Sequence, residues 1–305
     1  MAAWTFERVA GPYQGALCGV AWTGSDVLFC AETEGRILRF MTASKNVEDF
    51  RRYAPRISGI ALGPGGELYG CQEGSRRVVE YLRDGSTVVT ATRLDGRLHN
   101  FPRDLVVDRA GRIWFADPHS PVLALGPQIY STLDHASVLI AARARNHTWF
   151  LRRVTYDTVA PRSVALSADE KTLFVAEAGG PDGRRSELRA YPIQGDAEVG
   201  QHTVLHTFST DHRGVQRGIE GMCLDADGNI VACAGSRKCG PGPRIYVFSP
   251  TGAVLESHDF PDDLPVRCAF AGPDLDSLYV TTATGSLYRA GNLSRSGLNR
   301  FKTAP

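Results

Sequence analysis

Short apolar runs separated by turn residues fill this chain, and one such phrase returns six times. Each copy has an apolar run, a turn carrying Gly or Asp, and a second apolar run ending in small residues. The copies start at Gly19-Val-Ala-Trp, Gly59-Ile-Ala-Leu, Asp104-Leu-Val-Val, Ser163-Val-Ala-Leu, Gly221-Met-Cys-Leu and Cys268-Ala-Phe. Their second runs are Val27-Leu-Phe-Cys, Glu67-Leu-Tyr-Gly, Arg112-Ile-Trp-Phe, Thr172-Leu-Phe-Val, Asn229-Ile-Val-Ala and Ser277-Leu-Tyr-Val. Strand-like repeats of roughly fifty residues predict a radial array: an all-β, six-bladed β-propeller with four antiparallel strands per blade.

Third strands follow the second runs in the form turn then alternating strand, as in Ala31-Glu-Thr-Glu-Gly-Arg-Ile-Leu-Arg-Phe40, Glu73-Gly-Ser-Arg-Arg-Val-Val-Glu-Tyr81 and Arg244-Ile-Tyr-Val-Phe248. Hairpin chemistry is explicit at Gly65-Gly66, Ala110-Gly111, Asp227-Gly228 and Thr251-Gly252, where Gly or Asp takes the positive φ of a tight turn. The one helical candidate is Lys45 to Tyr53. The longest interval between copies holds an insertion, Pro118 to Leu133, whose prolines and Gly126 predict a surface loop able to cover a channel mouth. The segment from Trp4 to Val9 is expected to pair into the last blade and close the ring. No blade buries both faces without its neighbours, so residues 1–305 read as one domain.

A hydrophobic fraction of 43% and a charged fraction of 22% are ordinary for a soluble globular protein. The net charge of +1 gives no reason to expect nucleic acid or membrane as a partner. Only four of the 34 basic residues are lysine, a bias as readily compositional as chemical, which lowers the weight of any lone arginine. No secretion signal or transmembrane run is visible, and the seven cysteines mostly sit inside apolar runs. They read as buried small hydrophobes of a reduced, cytoplasmic compartment.

In a propeller, equivalent positions of all blades lie on one ring around the channel. The residues preceding the six starts are Cys18, Ser58, Arg103, Arg162, Glu220 and Arg267. Three arginines facing one mouth make an anion site, because guanidinium forks suit carboxylate, phosphate or sulfonate. The blander reading has each arginine bridging a neighbouring strand away from the channel; recurrence at one repeat offset argues against it. One Arg–Glu pair and two free arginines are the expected arrangement.

Three phrases carry a resemblance: Pro102-Arg-Asp-Leu-Val-Val-Asp-Arg-Ala-Gly-Arg-Ile-Trp-Phe-Ala-Asp117, Leu166-Ser-Ala-Asp-Glu-Lys-Thr-Leu-Phe-Val-Ala-Glu177 and Glu220-Gly-Met-Cys-Leu-Asp-Ala-Asp-Gly-Asn-Ile230. With Phe270 to Val280 they resemble the senescence-marker-protein/gluconolactonase/luciferin-regenerating-enzyme family over nearly the whole chain. The resemblance implies a six-bladed propeller, a divalent metal (often calcium or zinc) in the channel, and hydrolysis of sugar lactones or other esters. The departures fall on the implied ligand positions. Cys18 stands where the family carries Glu before the Trp22 position; Arg103 and Arg162 stand where it reads Asn; Val266-Arg267 replaces a frequent Thr-Asn. Only the acid at Glu220 is kept. A hard cation needs several oxygen ligands, and each guanidinium at an assumed ~7 Å and effective ε ~20 repels a dication by roughly 5 kcal/mol. No metal and no other cofactor is therefore expected.

Cys18 is weighed as a nucleophile, but no His is placed by sequence to serve as its base, and a small residue making room for ligand is the simpler reading. His99, four residues before Arg103, is a candidate for the mouth, against the commoner role of a satisfied loop histidine. His202 and His206 have helical metal spacing in a strand context and are discounted. Trp114, Phe115, Tyr69 and Tyr279 read as core. Two functional classes remain. One is a metal-independent enzyme that opens an anionic lactone or ester, or runs isomerisation, cyclisation or elimination. There Glu220, Arg103 and Arg162 are catalytic, and Arg267, Cys18, Ser58 and His99 bind substrate. The other is a non-catalytic propeller that holds a small anionic metabolite or a protein loop.

Overall fold

The computed structural model describes residues 3–122, 124–126, 131–180 and 182–301. Six four-stranded antiparallel sheets form a six-bladed β-propeller. Blade 1 runs outward through Leu17–Trp22, Asp26–Ala31, Arg36–Met41 and Val47–Arg51. Blade 2 uses Ile57–Leu62, Leu68–Gln72, Arg77–Tyr81 and Thr87–Val89; blade 3 uses Asp104–Val107, Ile113–Asp117, Ser137–Arg143 and Trp149–Arg153. Blade 4 comprises Pro161–Leu166, Thr172–Glu177, Glu187–Pro192 and Thr203–Thr207; blade 5 comprises Ile219–Leu224, Ile230–Ser236, Cys239–Phe248 and Val254–Asp259. Blade 6 takes Pro265–Ala271, Ser277–Thr282 and Leu287–Ala290, and its outer strand is Glu7–Ala10. That N-terminal strand pairs Glu7 with Arg289 and Arg8 with Tyr288, closing the ring as the sequence leads one to expect.

Each repeated phrase is the inner hairpin of a blade. Second strands are almost wholly buried, with Phe29, Phe115 and Trp114 among the largest enclosed side chains. Tyr69 and Tyr279 are buried too. The inner strands contact one another in chain order around the channel, and the first meets the sixth. Glycine at the phrase start allows this approach. A methyl group on Gly19 would sit 2.8 Å from the Ile60 nitrogen, and one on Gly59 would sit 2.9 Å from the Arg103 carbonyl oxygen. Blade 3 has Asp104 at this position, and its carboxylate instead accepts hydrogen bonds from the Ser163 hydroxyl and the Val164 amide (3.3 Å) of blade 4.

Five inner strands begin with an irregularity, leaving Gly19, Ser58, Arg162, Glu220 and Val266 without a partner on the second strand. Such bulges bend the strand and re-aim a side chain. In blades 2, 4 and 5 the unpaired residue is the ring residue itself.

One expectation fails. The segment from Lys45 to Tyr53 is no helix; Val47–Arg51 is the outer strand of blade 1, pairing Val47 with Phe40 and Arg51 with Ile37. An outer strand is half solvated, so its charged residues Glu48, Asp49 and Arg51 blur the alternation. The Pro118–Leu133 insertion does lie at the mouth where described: the Leu125 amide donates to the Gly74 carbonyl at 2.7 Å, and the Ser120 hydroxyl to Glu73 at 3.2 Å. Leu123 and residues 127–130 of that loop lie outside the described residues. All seven cysteines are free, and Cys223 alone is only half-buried. No helix among the described residues is long and apolar enough to cross a membrane.

Candidate functional site

Two of the ring residues, Arg103 and Arg162, converge at the channel mouth on the Glu220 carboxylate. Arg103 of blade 3 donates from Nη2 to Glu220 Oε2 at 3.1 Å, and Arg162 of blade 4 holds Nη1 3.7 Å from the same oxygen. Arg217, in the loop entering blade 5, takes the other oxygen with Nε at 2.9 Å and Nη2 at 2.7 Å. The network extends outward from Arg103, whose Nη1 is 3.9 Å from Glu73 Oε2, and Glu73 also receives Arg56 Nη2 at 3.0 Å.

Arg267 behaves differently from the other two ring arginines. It is 5% exposed and lies across the channel. Its Nη1 donates to the Glu220 and Val266 carbonyls, and its Nη2 sits 3.3 Å from each of the Arg103 and Arg162 carbonyls. Its Nε is 3.2 Å from Asp104 Oδ1. A guanidinium has five donors and no acceptor, which suits converging carbonyls at strand starts. Arg267 and Asp104 also face the far half of the channel, an apolar cavity of ≈ 290 Å³ bounded by Trp22, Leu224, Phe270 and the chain at Leu298–Phe301. The channel is thus plugged below the mouth.

Three other expected positions are occupied structurally. Ser58 is buried, and its hydroxyl donates to the Pro102 carbonyl at 2.9 Å, tying blade 2 to blade 3. The Cys18 thiol donates to Glu32 Oε2 at 3.2 Å. Burial and Glu32 push its pKa well above the ordinary thiol value, and Arg103 and Arg267 only partly oppose them. Cys18 is therefore a neutral thiol, the reverse of an activated nucleophile. His99 does not reach the mouth. It is fully enclosed, edge-on to Phe115, and burial drives its pKa down to about 3. His202 holds Asp157 at 2.6 Å and His206 packs on Phe248, far from any shared ligand.

Glu220 is the electrostatic centre. Burial raises its pKa, and Arg162, Arg103, Arg217 and Arg267 outweigh burial, leaving it at about 2. For Arg103, burial opposes the charge, but Glu220 and Glu73 prevail and its pKa lies above the usual value. For Arg162 the balance reverses. Glu220 favours its charge, but burial and the fields of Arg103, Arg217 and Arg267 together exceed that support and lower its pKa. Arg162 is the under-compensated cation of the cluster. It opens onto a cleft of ≈ 420 Å³ lined by Arg213, Gln216, Arg217, Glu220, Ser236 and Lys238.

No group of three or more His, Cys, Asp or Glu able to hold a metal ion occurs among the described residues. The mouth does not fit a divalent cation. Both Glu220 oxygens face guanidiniums, and the neighbouring ring positions offer a thiol, a committed hydroxyl and three arginines.

Residues 18–284 match the SMP-30/Gluconolactonase/LRE-like family. This chain belongs to that family. Among its family relatives, the gluconolactonase of Zymomonas mobilis is 26% identical over 207 residues, covering 66% of this chain and 53% of that protein. A 6-deoxy-6-sulfogluconolactonase of Pseudomonas putida is 27% identical over 189 residues, covering 62% of this chain and 56% of that protein. The chain thus spans about half the length of these two curated family members, at 53% and 56%. A gluconolactonase of Xanthomonas campestris superimposes with a TM-score of 0.77 at 22% identity, covering 94% of this chain and 89% of the other, a likeness of fold.

Two contributors to the mouth escape the repeat offset. Arg217 and Glu73 lie in connections between strands, where no repeat phrase marks them. Arg217 carries one signal, a basic residue three positions before the single ring acid.

Proposed function

We propose that this chain is a lactone or ester hydrolase for small anionic substrates that works without a divalent metal. The observation that supports it is Arg162, an under-compensated guanidinium opening onto a cleft beside Glu220, in a chain of the gluconolactonase-like family. A substrate carboxylate seats on Arg162 and Arg217 through charge-assisted hydrogen bonds. Drawing these cations from Glu220, and adding a negative charge nearby, raises its pKa from about 2 toward the range of a working base. Water oxygen then bonds to the lactone carbonyl carbon and its proton passes to Glu220. Negative charge builds on the carbonyl oxygen opposite Arg103. The ring C–O bond breaks, and the departing alkoxide takes the proton from Glu220 to leave a hydroxy acid.

A second reading, a non-catalytic propeller that holds an anion, draws on one observation: both Glu220 oxygens are already engaged by guanidiniums. A panel of lactones with and without a carboxylate, assayed with wild type and Glu220→Gln, separates the two. Hydrolysis of the carboxylated members that vanishes in Glu220→Gln supports the enzyme; binding without turnover in both proteins supports the second reading. Neutral lactones opened as fast as carboxylated ones, with Arg162→Met unaffected, would end both anion-based readings.

A further inference from the structure

Two thiols away from the mouth stand face to face. Cys223 lies on the inner strand of blade 5 and Cys268 on the inner strand of blade 6, with their Sγ atoms 3.6 Å apart. These strands touch closely: a methyl group on Gly221 would sit 3.0 Å from the Arg267 Cα. Side chains two residues apart on a strand share a face, so Cys223 continues that contact one step further along. Both cysteines line the apolar cavity in the far half of the channel, whose ≈ 290 Å³ admits a molecule little larger than water. Cys223 is half-buried and Cys268 is 6% exposed, whereas Cys30, Cys71 and Cys233 are fully enclosed.

Cys268 is the sulfur suited to lose its proton. Hydrogen bonds from the Cys223 and Cys233 thiols, with the Arg267 charge, outweigh burial and lower its pKa from the ordinary thiol value. The same bond to Cys268, together with burial, pushes Cys223 up. A thiolate is the nucleophilic form, and a neighbouring thiol captures the sulfenic acid that oxidation first produces.

We propose that Cys223 and Cys268 form a peroxide-reactive dithiol that closes to a disulfide joining blades 5 and 6. The Cys268 sulfur attacks one oxygen of a hydroperoxide, the O–O bond breaks, and Cys268 becomes a sulfenic acid. The other oxygen leaves as hydroxide or alkoxide and takes up the proton that Cys268 had lost. The Cys223 sulfur then attacks the Cys268 sulfur. An S–S bond forms, the S–O bond breaks, and the departing hydroxide leaves as water with the Cys223 proton. The two thiols lose two electrons and the hydroperoxide gains them. A small dithiol reductant reopens the bond by exchange.

The test treats the intact protein with hydrogen peroxide, then unfolds it, alkylates its thiols and maps its peptides without reductant. Free thiols are expected to fall from seven to five. The loss is expected as one Cys223–Cys268 linkage, reversed by dithiothreitol, formed roughly tenfold or more faster than the other cysteines react. Cys223→Ser forms no linkage and leaves a Cys268 sulfenic acid that dimedone traps. Cys268→Ser leaves Cys223 unoxidised over the same time, and Cys223→Ser carries the test alone if that variant does not fold. Seven thiols that survive peroxide, a linkage of Cys268 to Cys233, or loss of all thiols at one common rate overturns the dithiol. None of these readouts involves lactone opening, so the hydrolase reading fails or holds separately.

Discussion

Arg267 and Asp104 meet across the full width of the channel, Nε 3.2 Å from Oδ1, although their blades stand opposite one another in the ring. The same guanidinium reaches carbonyls of blades 3, 4 and 5. This contact joins the inner strands where bulges loosen their pairing, and it forms the floor on which Glu220 and its arginines rest. Arg267 is thus a positioning residue. Removing one partner of a buried ion pair commonly costs about 3–5 kcal/mol, so Arg267→Met is expected to lower stability by about that amount. Arg267→Lys should recover only part of it, because an ammonium cannot span carbonyls from several blades. Denaturant midpoints read this directly; an Arg267→Met protein as stable as wild type would remove the plug from the account.

Glu220→Gln leaves Arg103, Arg162 and Arg217 facing one another without their shared counter-charge. Its pH dependence has a definite sign. The folded-state pKa, about 2, lies below the ordinary 4.5, so the stability Glu220 supplies is present above about pH 4.5 and is lost as pH falls toward 2. Wild type should therefore lose more stability than Glu220→Gln across that window. Parallel unfolding curves at pH 6 and pH 3 measure it, and identical pH slopes would contradict the network.

Asp117 predicts the opposite slope. It is fully buried, accepts the Asn100 amide at 2.6 Å, and burial outweighs that bond and the Arg76 and Arg153 charges to raise its pKa to about 8. A carboxyl whose pKa is higher folded than unfolded binds protons on folding, so stability falls as pH rises from about 4 to about 8. Asp117→Asn should flatten this fall and outlast wild type at pH 8. A variant less stable than wild type at every pH, with the same slope, would refute the buried acid.

Ligand binding should divide the arginines. Arg162→Met or Arg217→Met is expected to weaken a carboxylate ligand by roughly 1.5–3 kcal/mol. The double variant should cost less than the sum, because both contact Glu220 and would share the ligand carboxylate. Strictly additive losses in the binding titration would place the two on separate ligand groups.

Chelators are expected to leave both melting temperature and lactone opening unchanged. Elemental analysis of the purified protein checks the same point: stoichiometric calcium or zinc, whose removal abolishes activity, would show that oxygen donors converge here in a way the guanidinium cluster argues against.

The sequence by itself determined the six-fold phrase, the strand order within each blade and the offset that puts Arg103, Arg162, Glu220 and Arg267 on one channel. These follow from local causes: apolar runs, hairpin glycines, and glycine or a small residue where inner strands touch. Tertiary structure alone decided what each ring residue does. Bulges turn Arg162 and Glu220 toward the axis, whereas Arg267, one residue past its own irregularity, lies across the channel and donates to a carbonyl 164 residues away. His99 shows the same limit, since its distance along the chain from Arg103 says nothing of the Phe115 ring that encloses it. Arg217, Glu73, Arg213 and Lys238 come from connections of unequal length, so no repeat marks them. Only closure of the ring brings those connections to one face.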